Sequence, residues 1–429
     1  MLSLRPGWGR VGSQPTDEYL FFSKYTGTDS YNGANSIYPS NIRLSNLQWE
    51  EKETWNVGFD LGLFNNMITA DFNIYTQMTS KLLMRDVKLP SSSGFSSLSW
   101  TNVGKMRNNG WEFNVNGTDV VKVGKFRLGF NVTFANNKNE IVEMDPTALS
   151  SLNKDFDNKN GSYLTRIQLN NPFGAIYGFR YKGVYQYSDY SDVEVPGVSG
   201  PNAPVARDEN GNVIRDKAGF TIPMVFGYDK TTNTELYEFQ GGDAIYEDIN
   251  HDGNINELDI VYLGSSLPKI TGGWGLKFSY GRWSLNAQFN FRVGNKVINE
   301  ARMNAESMYN NNNQAASVNW RWRTEGQLAE IPRALYNKGF NYLGSDRFVE
   351  DASFMRLNYL SLGYSLNPKL LRRIGVTSLS INLNASNLFC LTNYSGADPE
   401  VSYGGMNVAT DGAKTPRSRQ FTARVQIGF

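Results

Sequence analysis

The chain has 429 residues, with 42 Lys+Arg against 41 Asp+Glu, and its net charge of +1 offers no electrostatic footprint for nucleic acid. One cysteine (Cys390) and one histidine (His251) exclude an intrachain disulfide framework, a Cys-based zinc site and a two-histidine metal site, and leave most enzyme classes without their usual groups. Mean hydropathy is −0.45 and no apolar run approaches the length of a membrane-spanning helix, yet aromatics reach 13%. Strands that alternate lipid-facing and lumen-facing residues reconcile those values.

The first predicted strand puts Trp55, Val57, Phe59, Leu61 and Leu63 on one face, with Thr54, Asn56, Gly58, Asp60 and Gly62 between them. An Asn65-Asn66 turn leads into Ile68, Ala70, Phe72 and Ile74, which reads as a hairpin. Trp111, Phe113 and Val115 follow, then a glycine-bearing turn and Phe126, Leu128, Phe130, Val132 and Phe134. Further on, Trp274, Leu276, Phe278 and Tyr280 join through Gly281-Arg282 to Trp283, Leu285, Ala287, Phe289, Phe291 and Val293. Between Phe354 and Leu366 the apolar phase switches near Tyr359-Leu360, which predicts a bulge. Leu379, Ile381, Leu383 and Ala385 precede a last strand in which Phe421, Ala423, Val425, Ile427 and Phe429 alternate with polar or small residues. A terminal strand finishing in Phe is how outer-membrane β-barrel proteins end. Several segments reach roughly 9–11 residues, long enough for a tilted strand to cross hydrocarbon, whereas soluble sandwiches average about 5–6. Trp55, Trp111, Trp274 and Tyr280 lie where an interfacial aromatic girdle is expected. The count comes to roughly 11 to 14 strands.

Short turns alternate with long polar stretches at 145–170, 189–259 and 295–346, as in a barrel whose long loops face outside. The last stretch is expected to hold short helices. Its run Trp320-Arg321-Trp322-Arg323 offers two aromatics, Trp320 and Trp322, for stacking on a ligand, with packing and cation–π contact inside the loop as the plainer reading. Within the 189–259 stretch, DINHDGNINELD places oxygen donors Asp248, Asn250 and Asp252 at calcium-loop positions 1, 3 and 5, with Gly253 at the bend. The Asn254 carbonyl, Asn256 and Asp259 complete the expected donor set for a structural Ca²⁺; Asp replaces the usual Glu at the closing position. An Asx-rich turn without metal is the alternative. Asp398 and Glu400 are read as loop structure and not as a catalytic pair. Asn114, Asn131, Asn286 and Asn290 fall on the polar face, as ligand contacts or simply as a wetted wall.

LQWEEKETWNVGFDLGLFNNMITADFNIY (Leu47–Tyr75), LPSSSGFSSLSWTNVGKMRNNGWEF (Leu89–Phe113), DINHDGNIN with VYLGSSLPKITGGWGL (to Leu276), SDRFVEDASFMRLNYLSLGYSL (Ser345–Leu366), NLFCLTNYSGADPEV (Asn387–Val401) and the Phe-ended PRSRQFTARVQIGF together resemble the C-terminal part of SusC/RagA-type TonB-dependent transporters of the Bacteroidetes outer membrane. The resemblance implies an all-β fold: an antiparallel transmembrane barrel of about 22 strands, plugged at its lumen, of which residues 1–429 supply the C-terminal portion. It also implies a SusD-like surface lipoprotein as lid, energy from TonB through an N-terminal part not found in this sequence, and import of glycans or oligopeptides without a catalytic residue. No plug, TonB box or signal peptide is read here, so a truncated or split product is expected. Two alternatives stay open: a passive barrel porin or adhesin, and a soluble calcium-stabilised extracellular carbohydrate-binding β-protein.

Overall fold

A computed structural model describes residues 1–20, 22–31, 34–153, 161–164, 166–190, 204–227, 237–371, 375–400 and 408–429. Ten long strands form one antiparallel sheet in sequence order. They are β1 (Leu2–Ser13), β2 (Glu50–Leu63), β3 (Ile68–Ser80), β4 (Gly104–Val123) and β5 (Phe126–Met144). The second half comprises β6 (Ile270–Tyr280), β7 (Trp283–Val293), β8 (Phe354–Ser365), β9 (Ser378–Thr392) and β10 (Gln420–Gly428). The expected 11 to 14 strands are therefore too many for the sheet. The surplus β-prone segments, such as Ala175–Gly178 with Val261–Ser265 and Tyr181–Val184 with Ala244–Tyr246, pair with each other outside it. At three to five residues they are too short to cross hydrocarbon.

The connections divide by end. Residues 64–67, Gly124-Lys125, Gly281-Arg282 and 366–377 turn the chain at one edge. Gly124 and Gly281 take φ of +58° and +61°, as the first central residue of a type II′ hairpin demands. Residues 14–49, 81–103, 145–269, 294–353 and 393–419 all lie at the other edge. The two stretches expected as separate loops, 145–170 and 189–259, thus belong to one connection between β5 and β6. Of these stretches, residues 154–160, 165, 191–203 and 228–236 lie outside the described residues, as does Val401 of the resembling segments.

Register runs an apolar row across one face of the sheet from β2 to β9. Leu61 lies opposite Ala70, Ala70 opposite Val115, Val115 opposite Val132, Val132 opposite Trp274 and Trp274 opposite Phe289. The row continues through Leu357 and Phe389. No second layer covers this face among the described residues: Trp55 is 57% exposed, Leu383 53% and Val425 59%. Water would make such a surface an aggregation template, and lipid makes it the ordinary outer wall of a barrel. Eleven residues of β7 at about 3.3 Å each, tilted by about 45°, span roughly 25 Å, the height of an outer-membrane apolar band. Large rings interlock over it. Trp274 stacks on Phe289 at 4.0 Å and 8°, and Phe134 meets Phe291 at 5.5 Å across Gly272, whose missing side chain leaves the room. Each such pair adds about 0.5–1.5 kcal/mol beyond burial. Trp274 accordingly sits mid-strand and is no girdle residue, whereas Trp55 and Trp111 do mark the upper edge of the apolar band.

The predicted phase switch is a bulge: between Leu357 and Tyr359 the register of β8 shifts against β7, with Asn358 as the extra residue, and against β9, where Asn387 and Leu388 fall in the same gap. The bulge explains how Leu357 and Leu360 share a face at an odd spacing. A second, larger irregularity in β4 between Gly117 and Val121 has no counterpart in the sequence reading.

The best-buried core lies outside the sheet. Tyr177, Phe179, Ala206, Phe226, Phe239, Tyr246, Ile255 and Leu343, from the 145–269 and 294–353 connections, form one cluster, each no more than 2% exposed. The expected short helices of the latter connection are Glu300–Glu306 and the 3₁₀ segment Ala316–Trp320.

Candidate functional site

Three groups of polar residues are candidates, beginning with the wall opposite the apolar face. Alternation places Asn131, Gln288, Asn286, Asn290, Tyr359 and Asn384 there, and hydrogen bonds link them across strands. Gln288 Nε2 donates to Asn131 Oδ1 at 3.2 Å and to Asn286 Oδ1 at 3.1 Å. Gly275 lies between Asn131 and Gln288, and a Cβ there would collide with both amides. Asn114 Nδ2 donates to Asp71 at 3.0 Å, and the Tyr359 hydroxyl donates to Asn384 at 2.9 Å. Asn290 Oδ1 is buried without a partner. The four asparagines singled out from the sequence therefore share one wall. Three of them spend amide groups on neighbours, which is how a polar wall holds its side chains in fixed geometry.

Where this wall meets the loops, Arg356 of β8 is buried between Asp398 and Glu400, with Nη2 2.6 Å from Asp398 and Nε 2.8 Å from Glu400. The Glu400 contact is close but misaligned, so it is an ion pair without a good hydrogen bond. Arg417 adds a second cation 3.3 Å from Glu400. The two acids thus clamp the 393–419 connection to the sheet. A second clamp lies within the loop core, where fully buried Asp243 receives Arg333 Nε at 2.6 Å, the Tyr237 hydroxyl at 2.7 Å and the Gln240 amide at 2.9 Å. Burial works against the Arg333 charge, but the Asp243 carboxylate outweighs it and holds the guanidinium firmly protonated.

Residues 248–259 fold as a run of side-chain-to-amide turns. Gly253 takes φ +79°, and its N–H donates to Asp248 Oδ2 at 2.8 Å. Asn250 Oδ1 accepts the Asp252 amide at 3.2 Å, and Asp252 Oδ1 accepts the Asn254 amide at 2.8 Å. Asp259 closes the loop, accepting from the amides of Ile249 and Asn256 at 2.8 and 2.9 Å. It is fully buried, and burial with the charges of Asp248 and Asp252 pushes its carboxyl up to about 6. The Asn254 side-chain oxygen is buried without a partner. Among the described residues no three acidic, histidine or cysteine side chains cluster tightly enough to hold a metal by themselves. An oxygen-only loop of this kind relies on amide, carbonyl and water donors as well; of its three carboxylates Asp259 is buried, Asp248 half-buried and Asp252 exposed, and oxygen donors alone suit a hard cation.

Of the two stacking candidates, Trp320 is 79% exposed and Trp322 only 9%. Trp322 packs on Gly242 and donates its indole N–H to Gln186 at 3.0 Å, so its ring serves the loop core.

A tandem repeat beside the calcium-type loop escaped the sequence reading. Arg207-Asp208-Glu209-Asn210-Gly211 and Arg215-Asp216-Lys217-Ala218-Gly219 form successive turns with the same bonds. Each Asp Oδ1 accepts amides two and four residues ahead (2.9 and 2.8 Å in both turns). Ala206, Ile214 and Ile222 close a backbone ring, each donating to the next. Ala206 and Ile222 pack against Gly253, where a side chain would have no room. The eight-residue spacing of Arg-Asp was the available signal.

Comparison with known proteins agrees with this architecture. Residues 2–221 match the family model "TonB dependent receptor-like, beta-barrel". The chain is 27% identical to TonB-dependent receptor P39 of Formosa agariphila, over 100% of its own length and 40% of that protein. It is 24% identical to TonB-dependent receptor SusC of Bacteroides thetaiotaomicron, over 100% of its own length and 37% of that protein. A solved structure described as the RagAB peptide transporter superposes with a TM-score of 0.69 at 24% identity, covering 100% of this chain and 41% of the other. The chain therefore spans about two fifths of these relatives.

Proposed function

The chain belongs to the TonB dependent receptor-like β-barrel family and is an outer-membrane protein, and from that premise we propose that it walls part of a gated importer for glycans or oligopeptides. The observation that carries the proposal is the sheet's division into an apolar face and an interlinked amide wall, with all long connections at one edge. Amide side chains held in place offer paired donors and acceptors to hydroxyl or peptide groups, and they stand among charged side chains of both signs, Asp71 and Arg424 among them. The work proposed for this wall is passage. Exposed Trp320 is the aromatic best placed for a sugar ring. A SusD-like surface lipoprotein as lid, and TonB as the source of mechanical energy, belong to the same reading, supported by likeness to SusC.

Deleting the gene that encodes this chain tests the proposal. Growth on the imported oligosaccharide or oligopeptide is expected to fall while growth on its monomers is kept, and a surface lipoprotein is expected to co-purify with the tagged protein. Growth unchanged on every polymer would contradict it.

Calcium is part of the proposal as a structural ion. Asp248, Asn250, Asp252, the Asn254 carbonyl, Asn256 and Asp259 would hold it, and it would supply positive charge that orders the loop. Extracellular sites of this type bind at roughly 10⁻⁴–10⁻³ M. Terbium luminescence from the loop is expected to be displaced by millimolar calcium and lost in Asp252→Asn. Luminescence indifferent to that change would leave the Asx-turn network as the whole explanation.

A further inference from the structure

The apolar face carries a feature that a plain lipid-facing wall does not need. A groove of about 1010 Å³ opens on it, between the rings of Trp8, Trp55 and Trp111 and the side chain of Lys138. Register places Trp8, Trp55, Thr76, Asn109 and Lys138 side by side on five successive strands. The row toward the short turns is Pro6, Val57, Ile74, Trp111 and Asn136, largely apolar. The row toward the long connections is Arg10, Glu53, Met78, Arg107 and Glu140, largely charged. The groove therefore straddles the border between hydrocarbon and water at the long-loop edge. Both indole N–H groups, of Trp8 and of Trp55, point across that border to Glu53, at 3.1 and 3.0 Å.

We propose that this groove binds a phosphorylated glycolipid of the outer leaflet. Its floor is polar where a bare acyl chain would want none: Thr76 and Asn109 are exposed and hydrogen-bonded to each other at 2.5 Å. Tryptophan faces beside amide groups are the chemistry that receives a sugar ring, one by stacking and the other by hydrogen bonding. The charges above the groove are unevenly spent. Arg10 pairs with Glu51, and Lys105 with Glu143. Lys138 lies 4.0 Å from Glu140, at the limit of an ion pair, and Arg107 has no ion-pair partner among the described residues. Glu53 holds the tryptophan end of the groove; at the Lys138 end two cations share Glu140, which leaves a place there for an acidic headgroup. The acyl chains then lie along Val57, Ile74 and Trp111. The inference rests on the long-loop edge facing outward, which surface labelling of a Trp320→Cys variant in intact cells tests separately.

The test is native mass spectrometry of the full outer-membrane polypeptide carrying this chain, extracted in mild detergent and offered three lipids. These are monophosphorylated lipid A, its dephosphorylated form and phosphatidylglycerol. The phosphorylated glycolipid is expected to be retained best. Arg107→Gln with Lys138→Gln is expected to lower its bound fraction about tenfold or more, as loss of hydrogen bonds to a charged group implies. Thr76→Trp, which fills the groove, is expected to remove both glycolipids. Gel mobility before and after heating verifies that each variant is a folded barrel, and the surface charge variants keep the test valid if Thr76→Trp does not fold. Equal retention of the three lipids, or retention unmoved by Arg107→Gln with Lys138→Gln, would overturn the proposal.

Discussion

Gly253 shows how much one residue decides in the loop region. Its φ of +79° suits glycine, and a Cβ would lie 2.5 Å from that of Ala206. Gly253→Ala is expected to cost about 1–2 kcal/mol from the left-handed backbone alone, and more from the collision. Faster thermolysin cleavage within 204–260, with the barrel intact, is the readout. Glu350 gives a pH dependence. Burial works against its carboxylate, but hydrogen bonds from the Ser395 amide and hydroxyl, with Arg302 and Asn299, hold it below its ordinary 4.5. A carboxylate depressed in the fold stabilises above its unfolded value, and that contribution is lost as pH falls through the lower folded one. Hydrogen exchange at the Ser395 amide, corrected for its intrinsic rate, is therefore expected to accelerate as pH drops below 4.5. The bend at Gly253 was legible because the donors and acceptors that shape it are local in sequence. Trp322 was not, since its neighbours Gln186 and Gly242 are remote in sequence and nothing in an aromatic-basic run tells a core ring from a surface one.

At the level of strands, alternation identified the paired faces before any coordinates. It even located the β8 bulge within a residue or two, because an extra residue flips the apolar phase and the flip is visible. Strand ends were less legible: β4 and β5 run well past the apolar band, where polar residues on both faces erase the pattern. Trp274 looked like a girdle residue for the same reason, as a ring near the start of an apolar run whose true beginning is Ile270. The two faces make opposite demands on a charge. Leu360→Arg, mid-strand on the lipid side, is expected to destabilise the barrel by about 2–4 kcal/mol. Ser361→Arg, its neighbour on the polar wall, is expected to change stability little. Urea unfolding in liposomes compares them, and equal costs would mean that the faces are misassigned.

Across the whole molecule, a hydrophobic-core protein and a membrane wall are joined in one chain. The sheet leaves its apolar face uncovered, while the connections at one edge bury Tyr177, Phe179 and Phe239 in a core of their own. That core was hidden in the sequence because its short strands are separated by polar turns that read as loop. Among the described residues β1 and β10 are each paired on one side only, and lipid does not tolerate unpaired edges. The central claim is that alternate residues of these strands meet lipid and water. Spin labels placed one at a time from 379 to 385 and from 421 to 427 of the reconstituted full polypeptide test it most directly. Leu379, Ile381, Leu383, Phe421, Ala423 and Val425 are expected to relax with lipid-dissolved oxygen. Ser380, Asn382, Asn384, Thr422 and Arg424 are expected to relax with a water-soluble nickel chelate. Accessibility without a period of two, or water reaching both sets alike, would contradict the account.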